Sequence, residues 1–177
     1  MRQQDLKWNI QNEIEDFLSK AKTGYLGLTD DNQPYVVPLN FIWKNSTIYF
    51  HGAAEGKKMN LIQKNNHACF TVSEDLGTMT NPIPAKTDTA YKSVMVFGKV
   101  ERVNNLEEAT KAMQLLLDKY VPGYYQQPLS KTHVEKYRSS LGSSTCVLKI
   151  NIERLTAKKN DLDSAAVFYP GKTVQKN

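Results

Sequence analysis

The sequence predicts a mainly β chain with packed α-helices, of the α+β class, arranged as a β-barrel. Six segments have the apolar or alternating pattern of strands, turn-forming residues separate several of them, and the helical stretches between them are short. With 177 residues, 40% of them hydrophobic, the chain can bury one good core. We therefore expect a single domain over residues 1–177, with residues 156–177 as a C-terminal extension.

The first elements are an amphipathic helix and a strand. A helix is predicted from Asp5 to Lys20, because five apolar side chains fall on one of its faces: Leu6, Ile10, Ile14, Phe17 and Leu18. Gly24 begins a strand, GYLGLT, and the polar run at residues 30–32 has the composition of a turn.

The next segment predicts a β-hairpin. Residues 36–41 alternate between two faces, and residues 47–51 repeat the alternation after the polar turn at 44–46. Pro38 has no N–H to give to a ladder, so its strand is predicted at a sheet edge or kinked by a bulge. Such a strand leaves backbone groups free to face a ligand.

Small residues and two lysines follow the hairpin. Residues 52–56 are mostly Gly and Ala, and Lys57 and Lys58 open a predicted helix that continues with apolar residues. Unpaired N–H groups, the helix dipole and two ammonium groups together favour an anion such as a phosphate. The residues alone leave open a plain strand-to-helix turn with two solvated lysines.

The rest of the chain alternates strands and helices. Strands are predicted at 67–72, 91–103 and 145–155. Asn105, with Glu108 three residues later, predicts the start of a helix that ends near Tyr120, and Val134 and Tyr137 indicate a short helix. Residues 74–90 have no periodicity and predict a long loop, which either borders a binding site or is a surface excursion.

Composition argues against several classes of protein. The net charge of +5 comes from widely spread residues without interleaved aromatics, so nucleic-acid binding is not expected. No stretch has the length of a membrane span, and the N-terminus lacks the order of a signal peptide, which predicts a cytoplasmic protein.

Cysteines and histidines give no sign of a metal site. Cys69 and Cys146 lie in strand patterns without CxxC spacing, so they are predicted to be buried free thiols. His51, His67 and His133 lack the spacing of a metal motif. His51, at the end of a strand, could bond a ligand or cap the turn that follows.

Three segments, in this order and spacing, resemble the pyridoxamine 5′-phosphate oxidase-like family of FMN-binding split barrels. They are PYVVPLNF, YFHGAAEGKK, and YKSV leading to GKV at residues 98–100. The sequence is most similar to the nitroimidazole-resistance branch. The resemblance covers roughly Asp5 to Tyr120 and, less sharply, Thr145 to Leu155, and it implies an FMN-binding split β-barrel.

Nine positions match cofactor contacts of that family. The resemblance implies that the isoalloxazine ring lies against the first hairpin strand, at Val37, Pro38, Leu39 and Asn40. The ring and ribityl chain would be flanked by the end of the second strand, at Phe50 and His51. The phosphate would be held at the helix start by Lys57 and Lys58, and the ring edge would contact Ser93.

The function that the resemblance implies is that of an FMN-dependent oxidoreductase. It would pass electrons from a nicotinamide, NADH or NADPH, to a small organic acceptor such as a nitroaromatic, as a homodimer with flavin at the interface and His51 as the catalytic candidate. The oxidases themselves carry basic residues around the first strand and an Arg-His pair near the C-terminus. This sequence reads VVPLN and has no His or Arg after residue 159, so oxidation of pyridoxamine phosphate is not expected.

Two alternatives remain open at the level of sequence. Relatives of this barrel use a similar cleft for haem, which makes a haem-binding or haem-degrading protein with His51 or His133 near the iron the first alternative. The second is a flavin binder without turnover, acting as a sensor or store.

Overall fold

The computed structural model describes residues 4–31, 33–138 and 142–174. Over these residues the chain forms four α-helices, seven strands and a short 3₁₀ turn at Pro84–Lys86. The helices are α1 (Gln11–Lys20), α2 (Lys57–Lys64), α3 (Leu106–Tyr120) and α4 (Lys131–Lys136). The strands are β1 (Thr23–Asp30), β2 (Gln33–Asn40), β3 (Ile42–Lys44), β4 (Thr47–Ala53), β5 (His67–Met79), β6 (Asp88–Arg102) and β7 (Thr145–Asn160). Within the described ranges, no helix is both long and apolar enough to cross a bilayer.

All seven strands form one antiparallel sheet in the order β2-β1-β5-β6-β7-β4-β3. The two edge strands, β2 and β3, are joined by the single residue Phe41, and β2 contacts β4. The sheet must therefore curve until its edges meet, which confirms the predicted split β-barrel with packed helices. We call residues 40–42, where the edges meet, the seam.

Two apolar clusters hold the barrel and its helices together. The larger fills the barrel and includes the fully buried rings of Phe41, Phe50 and Phe70. The smaller lies between α3 and the outside of the barrel, where Ile42 and Val147 pack against α3. Helix α3 begins as predicted, because the Asn105 side chain accepts a hydrogen bond from the Glu108 backbone N–H at 2.9 Å.

The prediction of the first helix was wrong at its start. Helix α1 begins at Gln11, not Asp5, and the residues before it run along β7. The Trp8 N–H donates to the Ala157 carbonyl at 3.1 Å, and the Lys159 N–H donates to the Leu6 carbonyl at 3.0 Å. Trp8 is buried in this position, so pairing with β7 and burial of an indole outweigh local helical periodicity.

The predicted hairpin has a different first strand. Strand β2 pairs with β1, and β4 pairs with β3 through a turn at Asn45 and Ser46, both of which have positive φ. The turn was predicted at the right place. The chain, however, crosses from one edge of the sheet to the other at the seam, and the alternation of side chains gives no sign of this crossing. The edge position predicted for Pro38 is confirmed.

The predicted loop at 74–90 is largely strand. Strand β5 continues to Met79 and β6 starts at Asp88, so the connection is residues 80–87. A bulge between Asp75 and Gly77, where Gly77 has φ of 121°, interrupts the pattern without ending the pairing. Strand β7 likewise runs to Asn160, and residues 161–174 lie against this connection, with the Phe168 N–H donating to the Thr78 carbonyl at 2.8 Å.

Both cysteines are free thiols, as predicted. The predicted burial is confirmed for Cys146, whereas Cys69 is only half-buried.

The outer face of the β2-β1-β5-β6-β7 part of the sheet carries little charge. The register places two rows of side chains across these five strands, and we call them together the outer sheet face. Arg154 is the charged member, and its guanidinium stacks 4.2 Å above the Phe97 ring. The exposed fraction is 62% for Val36, 45% for Tyr25 and 38% for Met95. The rows are Val36, Gly27, Cys69, Phe97 and Arg154, and Pro38, Tyr25, Thr71, Met95 and Thr156.

Candidate functional site

The predicted anion site lies where β4 ends and α2 begins. Helix α2 starts at Lys57, as the sequence predicts, and Gly56 before it has φ of 101°, a conformation that favours glycine. The eight-residue helix thus presents its first N–H groups next to a loop of small side chains.

Lys58 carries a positive charge that no acidic side chain of the described residues balances. Its side chain turns back over β4, so that the ammonium lies 5.6 Å above the Phe50 ring and 2.6 Å from where a Cβ on Gly52 would stand. Burial lowers the pKa of Lys58. Among the described residues no carboxylate lies within ion-pair distance of this ammonium, so a bound anion would relieve an existing cost of burial.

Lys57 differs from Lys58 although the two are adjacent in sequence. Its ammonium lies 3.1 Å from the Asp30 carboxylate and 5.4 Å above the Tyr35 ring. More than half of its side chain is exposed, so its charge is both paired and hydrated. The structure thus makes Lys58 the stronger candidate for holding an anion.

His51 is the polar side chain next to this cation. Its Nδ1 atom is buried and has no hydrogen-bond partner. Burial, and then the nearby charge of Lys58, lower the pKa of His51. A buried unpaired nitrogen is rare in native proteins, and a ligand with a donor or acceptor would satisfy it.

Asn40 is brought to the same cavity as His51. The pairing of β3 with β4 ends at Ile42 opposite Tyr49, and Asn40 itself pairs with Thr23 of β1. Asn40 and His51 both lie in the wall of one cavity. The last residue of the predicted ring-binding strand and the catalytic candidate therefore meet at the same place.

The cavity has a volume of about 830 Å³, within the range of small-molecule sites. Its other walls come from α3, the segment 121–130 and α4. Most of the lining is apolar, and the polar contributions besides Asn40 and His51 include Arg102, Tyr120 and His133. Of these, sequence reasoning considered His133 and missed Arg102 and Tyr120, which lie in unrelated elements and carry no motif.

The remaining predicted site residues lie in two environments. Val37 and Leu39 turn their side chains toward the core, and Phe50 is fully buried in it. Pro38 and Asn40 face outward on the exposed edge strand. Strand β2 would therefore meet a ligand through Pro38, Asn40 and its free backbone edge, whereas Phe50 lies buried beneath the Lys58 ammonium.

Ser93 is not brought to this place within one chain. It pairs with Lys158 near the end of β7, whereas His51 pairs with Val147 near the start of that strand. Eleven strand positions correspond to roughly 35 Å at about 3.3 Å per residue. Ser93 instead adjoins the outer sheet face, next to Met95.

We expect the protein to lose stability as the pH falls from about 7.5 to 5.5, and the variant His51→Gln to lose less. The pKa of His51 in the native state lies below its ordinary value of 6.5, so the unfolded chain binds more protons in this range. One such proton lowers the free energy of unfolding by up to about 1.4 kcal/mol per pH unit. Urea unfolding at the two pH values measures the difference. His67→Gln, at an exposed site, is the control and should follow the wild type, and an unchanged pH dependence in His51→Gln would contradict the assignment.

Comparison with known proteins adds a family and several structural neighbours. The model of the pyridoxamine 5′-phosphate oxidase family matches residues 11–159. No curated protein matches the chain at a significant level. A solved structure from Bacteroides thetaiotaomicron VPI-5482, described as a candidate 5-nitroimidazole antibiotic resistance protein, is 29% identical with a TM-score of 0.68, and the match covers 86% of this chain and 85% of that one.

Two more distant neighbours share the fold. The flavocytochrome Anf3 from Azotobacter vinelandii is 18% identical with a TM-score of 0.76, over 100% of this chain and 86% of its own. The FAD and heme binding protein from Mycobacterium smegmatis is 16% identical with a TM-score of 0.71, over 90% and 76% respectively. The family match itself runs from the first residue of α1 to the penultimate residue of β7, and the chain therefore belongs to the pyridoxamine 5′-phosphate oxidase family.

Proposed function

We propose that this protein is an FMN-dependent oxidoreductase that reduces a small organic acceptor, such as a nitroaromatic, with electrons from NADH or NADPH. The observation that carries the proposal is the unbalanced, half-buried ammonium of Lys58 beside the unpaired Nδ1 of His51, a residue that lines an apolar cavity. The likeness to a candidate nitroimidazole resistance protein, and the flavin that neighbours of the same fold are named for, support it.

The residues present fit a flavin phosphate. Lys58 supplies a desolvated positive charge, the start of α2 supplies N–H groups, and Gly52 and Gly56 leave room for a group to approach the backbone. A phosphate dianion would balance the charge that the protein leaves unbalanced. The flavin would supply the hydride and electron chemistry.

The chain's own residues would position the reactants and manage a proton. The free edge of β2 and the Asn40 side chain are available to hold the planar ring system, and an acceptor bound in the cavity would displace water from its apolar walls. His51 is neutral near pH 7 in the free protein because its pKa is lowered. An anion bound at Lys58 would raise the pKa of His51 again, which brings the imidazole into the range where it can donate a proton.

The first prediction separates the two lysines. Lys58→Met should raise the Kd for FMN roughly 10- to 100-fold, the loss expected for one charge-assisted hydrogen bond. It should leave riboflavin binding nearly unchanged, because riboflavin lacks the phosphate. Lys57→Met should have the smaller effect, since Asp30 already pairs with that ammonium. Fluorescence titration gives the values, with the exposed Lys64→Met on the same helix as control, and equal losses for FMN and riboflavin would refute the phosphate assignment.

The second prediction concerns turnover. His51→Ala should keep bound FMN but slow reoxidation of the reduced protein by nitroaromatic or quinone acceptors roughly 100-fold, the usual contribution of a positioned acid. Stopped-flow absorbance after reduction by NADH or NADPH measures the rate. Two results together would favour a flavin sensor or store: failure of both nicotinamides to reduce the flavin, and reaction of dithionite-reduced protein no faster than free FMN.

We further propose a homodimer in which the outer sheet face is the interface. This face places Val36, Tyr25 and Met95 in water without charged neighbours between them, and apolar patches of this kind usually mark association sites. Ser93 borders the same face and lies far from His51 on its own chain. Pairing of two copies would let Ser93 of one protomer reach the flavin held by its partner, in agreement with the role that the family resemblance gives it.

Met95→Lys should therefore convert the dimer to monomer and weaken flavin binding, because it buries a charge in the proposed interface. Light scattering coupled to gel filtration at micromolar concentration gives the mass, and flavin titration gives the affinity. Gln63→Lys adds the same charge at an exposed position of α2 and should change neither. A wild-type monomer that binds flavin would contradict the proposal.

A second candidate function, haem binding, is favoured by one observation. His51 and His133, the two histidines that the sequence offers for an iron, both lie in the wall of the same apolar cavity, with Arg102 available for a carboxylate. Two neighbours with this fold are named as a flavocytochrome and as an FAD and heme binding protein. The absorbance spectrum of the purified protein distinguishes the two cofactors. A sharp band near the ultraviolet that is lost in His133→Ala supports haem. Flavin bands in the blue without that band support the first proposal.

A further inference from the structure

The seam depends on hydrogen bonds that the sheet does not provide. Phe41 joins the two edge strands and belongs to neither, and its ring is fully buried, 5.1 Å from the Phe70 ring in an edge-to-face contact. Its backbone N–H and C=O therefore need partners outside the strand ladders.

Two consecutive residues at the end of α3 supply those partners. The Phe41 N–H donates to the Tyr120 hydroxyl at 2.8 Å, and the Lys119 ammonium donates to the Phe41 carbonyl at 3.0 Å. The same ammonium lies 4.1 Å from the centre of the Phe41 ring. Both polar groups of one backbone residue are thus held by side chains from a single helix end.

The helix end is itself fixed to the start of the barrel. The Lys22 ammonium donates to the Lys119 carbonyl at 2.6 Å, and the Lys22 carbonyl lies 2.5 Å from the Tyr120 hydroxyl. The hydroxyl has one proton, so it accepts from Phe41 and donates to one carbonyl at a time. The last turn of α3 therefore links the entry to β1 with the seam.

This linkage adjoins the candidate site. Asn40 directly precedes Phe41 and lies in the wall of the cavity that His51 also lines. Tyr120 also lies in the wall of the cavity that contains Asn40 and His51. A shift of the seam would move Asn40 and so change its separation from His51.

We propose that Lys119 and Tyr120 are positioning residues that set the spacing of Asn40 and His51, and so the end of the site that receives the flavin ring. The part that concerns flavin rests on the function proposed above. Neither side chain needs to contact the cofactor, because both act through the backbone of Phe41.

The environment of Lys119 agrees with this role. Burial, and then the charge of Lys22, lower the pKa of Lys119 to about 8. Burying a charged ammonium costs free energy unless hydrogen-bond acceptors compensate for the lost water. The acceptors of Lys119 are the Phe41 carbonyl and, at 3.4 Å, the Leu18 carbonyl.

The test uses the full chain with Tyr120→Phe and Lys119→Met, and Lys119→Arg as the conservative rescue. Tyr49→Phe is the matched control, because it also removes a hydroxyl that links the sheet to α3. Although Tyr49 pairs with Ile42, its hydroxyl bonds Glu108 at the start of α3, at 3.0 Å, and not the backbone of Phe41. Titrations with FMN and riboflavin report the ring end of the site. The NMR titration of the His51 imidazole reports its environment without any flavin.

Tyr120→Phe and Lys119→Met should raise the Kd for FMN and riboflavin by the same factor, roughly tenfold, whereas Lys58→Met should affect FMN alone. In Tyr120→Phe, which changes no charge, the pKa of His51 should move up toward that of a hydrated imidazole. Lys119→Arg should recover most of the affinity, and Tyr49→Phe should match the wild type in both measurements.

Unchanged flavin affinity together with an unchanged His51 titration in Tyr120→Phe would overturn the inference. If Tyr120→Phe does not fold, the comparison of Lys119→Met with Lys119→Arg decides by the same two measurements. If the wild type binds neither flavin, the proposed function fails, and the His51 titration alone then decides whether the pair positions the site.

Discussion

The crossing of the chain from one sheet edge to the other at Phe41 is the constraint on which the rest of the structure depends. A seven-stranded sheet whose first and last strands are joined by one residue has to close, and closure buries that residue's backbone. Buried backbone groups need partners, and the partners come from the end of α3. The end of α3, which forms part of one wall of the cavity, is thus held over the barrel by hydrogen bonds to the backbone groups of this one residue.

The two lysines at the start of α2 have different electrostatic environments. Lys57 and Lys58 begin the same helix, yet Asp30 neutralises the first. The second lies over Gly52 and Phe50, and no carboxylate in the described part of the chain pairs with it. The cost of burying Lys58 is visible in its lowered pKa and in that of His51 beside it. A protein that keeps such a cation half-buried gains stability when an anion binds, which couples occupancy of the site to folding.

Sequence reasoning succeeded where the information is local and failed where it is not. The Asn105 cap, the start of α2 after Gly56, the turn at Asn45 and the edge position of Pro38 each depend on a few adjacent residues. The partner of β2, the start of α1 and the extent of β5 depend on distant strands, so periodicity misplaced them. The difference between Lys57 and Lys58 was hidden for the same reason, because Asp30 reaches Lys57 from the end of β1.

The site therefore has two parts of different origin. The part that would hold a cofactor comes from β2, β4 and the start of α2, whose residues form a recognisable run in the sequence. The part that would meet an acceptor comes from α3, the segment 121–130 and α4, which share no motif and converge only in three dimensions. A barrel that keeps the first part can change its acceptor by altering the second, since helix and loop residues outside the sheet can vary without disturbing strand register. His51 and Asn40 lie where the two parts meet. Charges at the start of α2 therefore act on them from one side, and the walls formed by α3, the segment 121–130 and α4 surround them on the other.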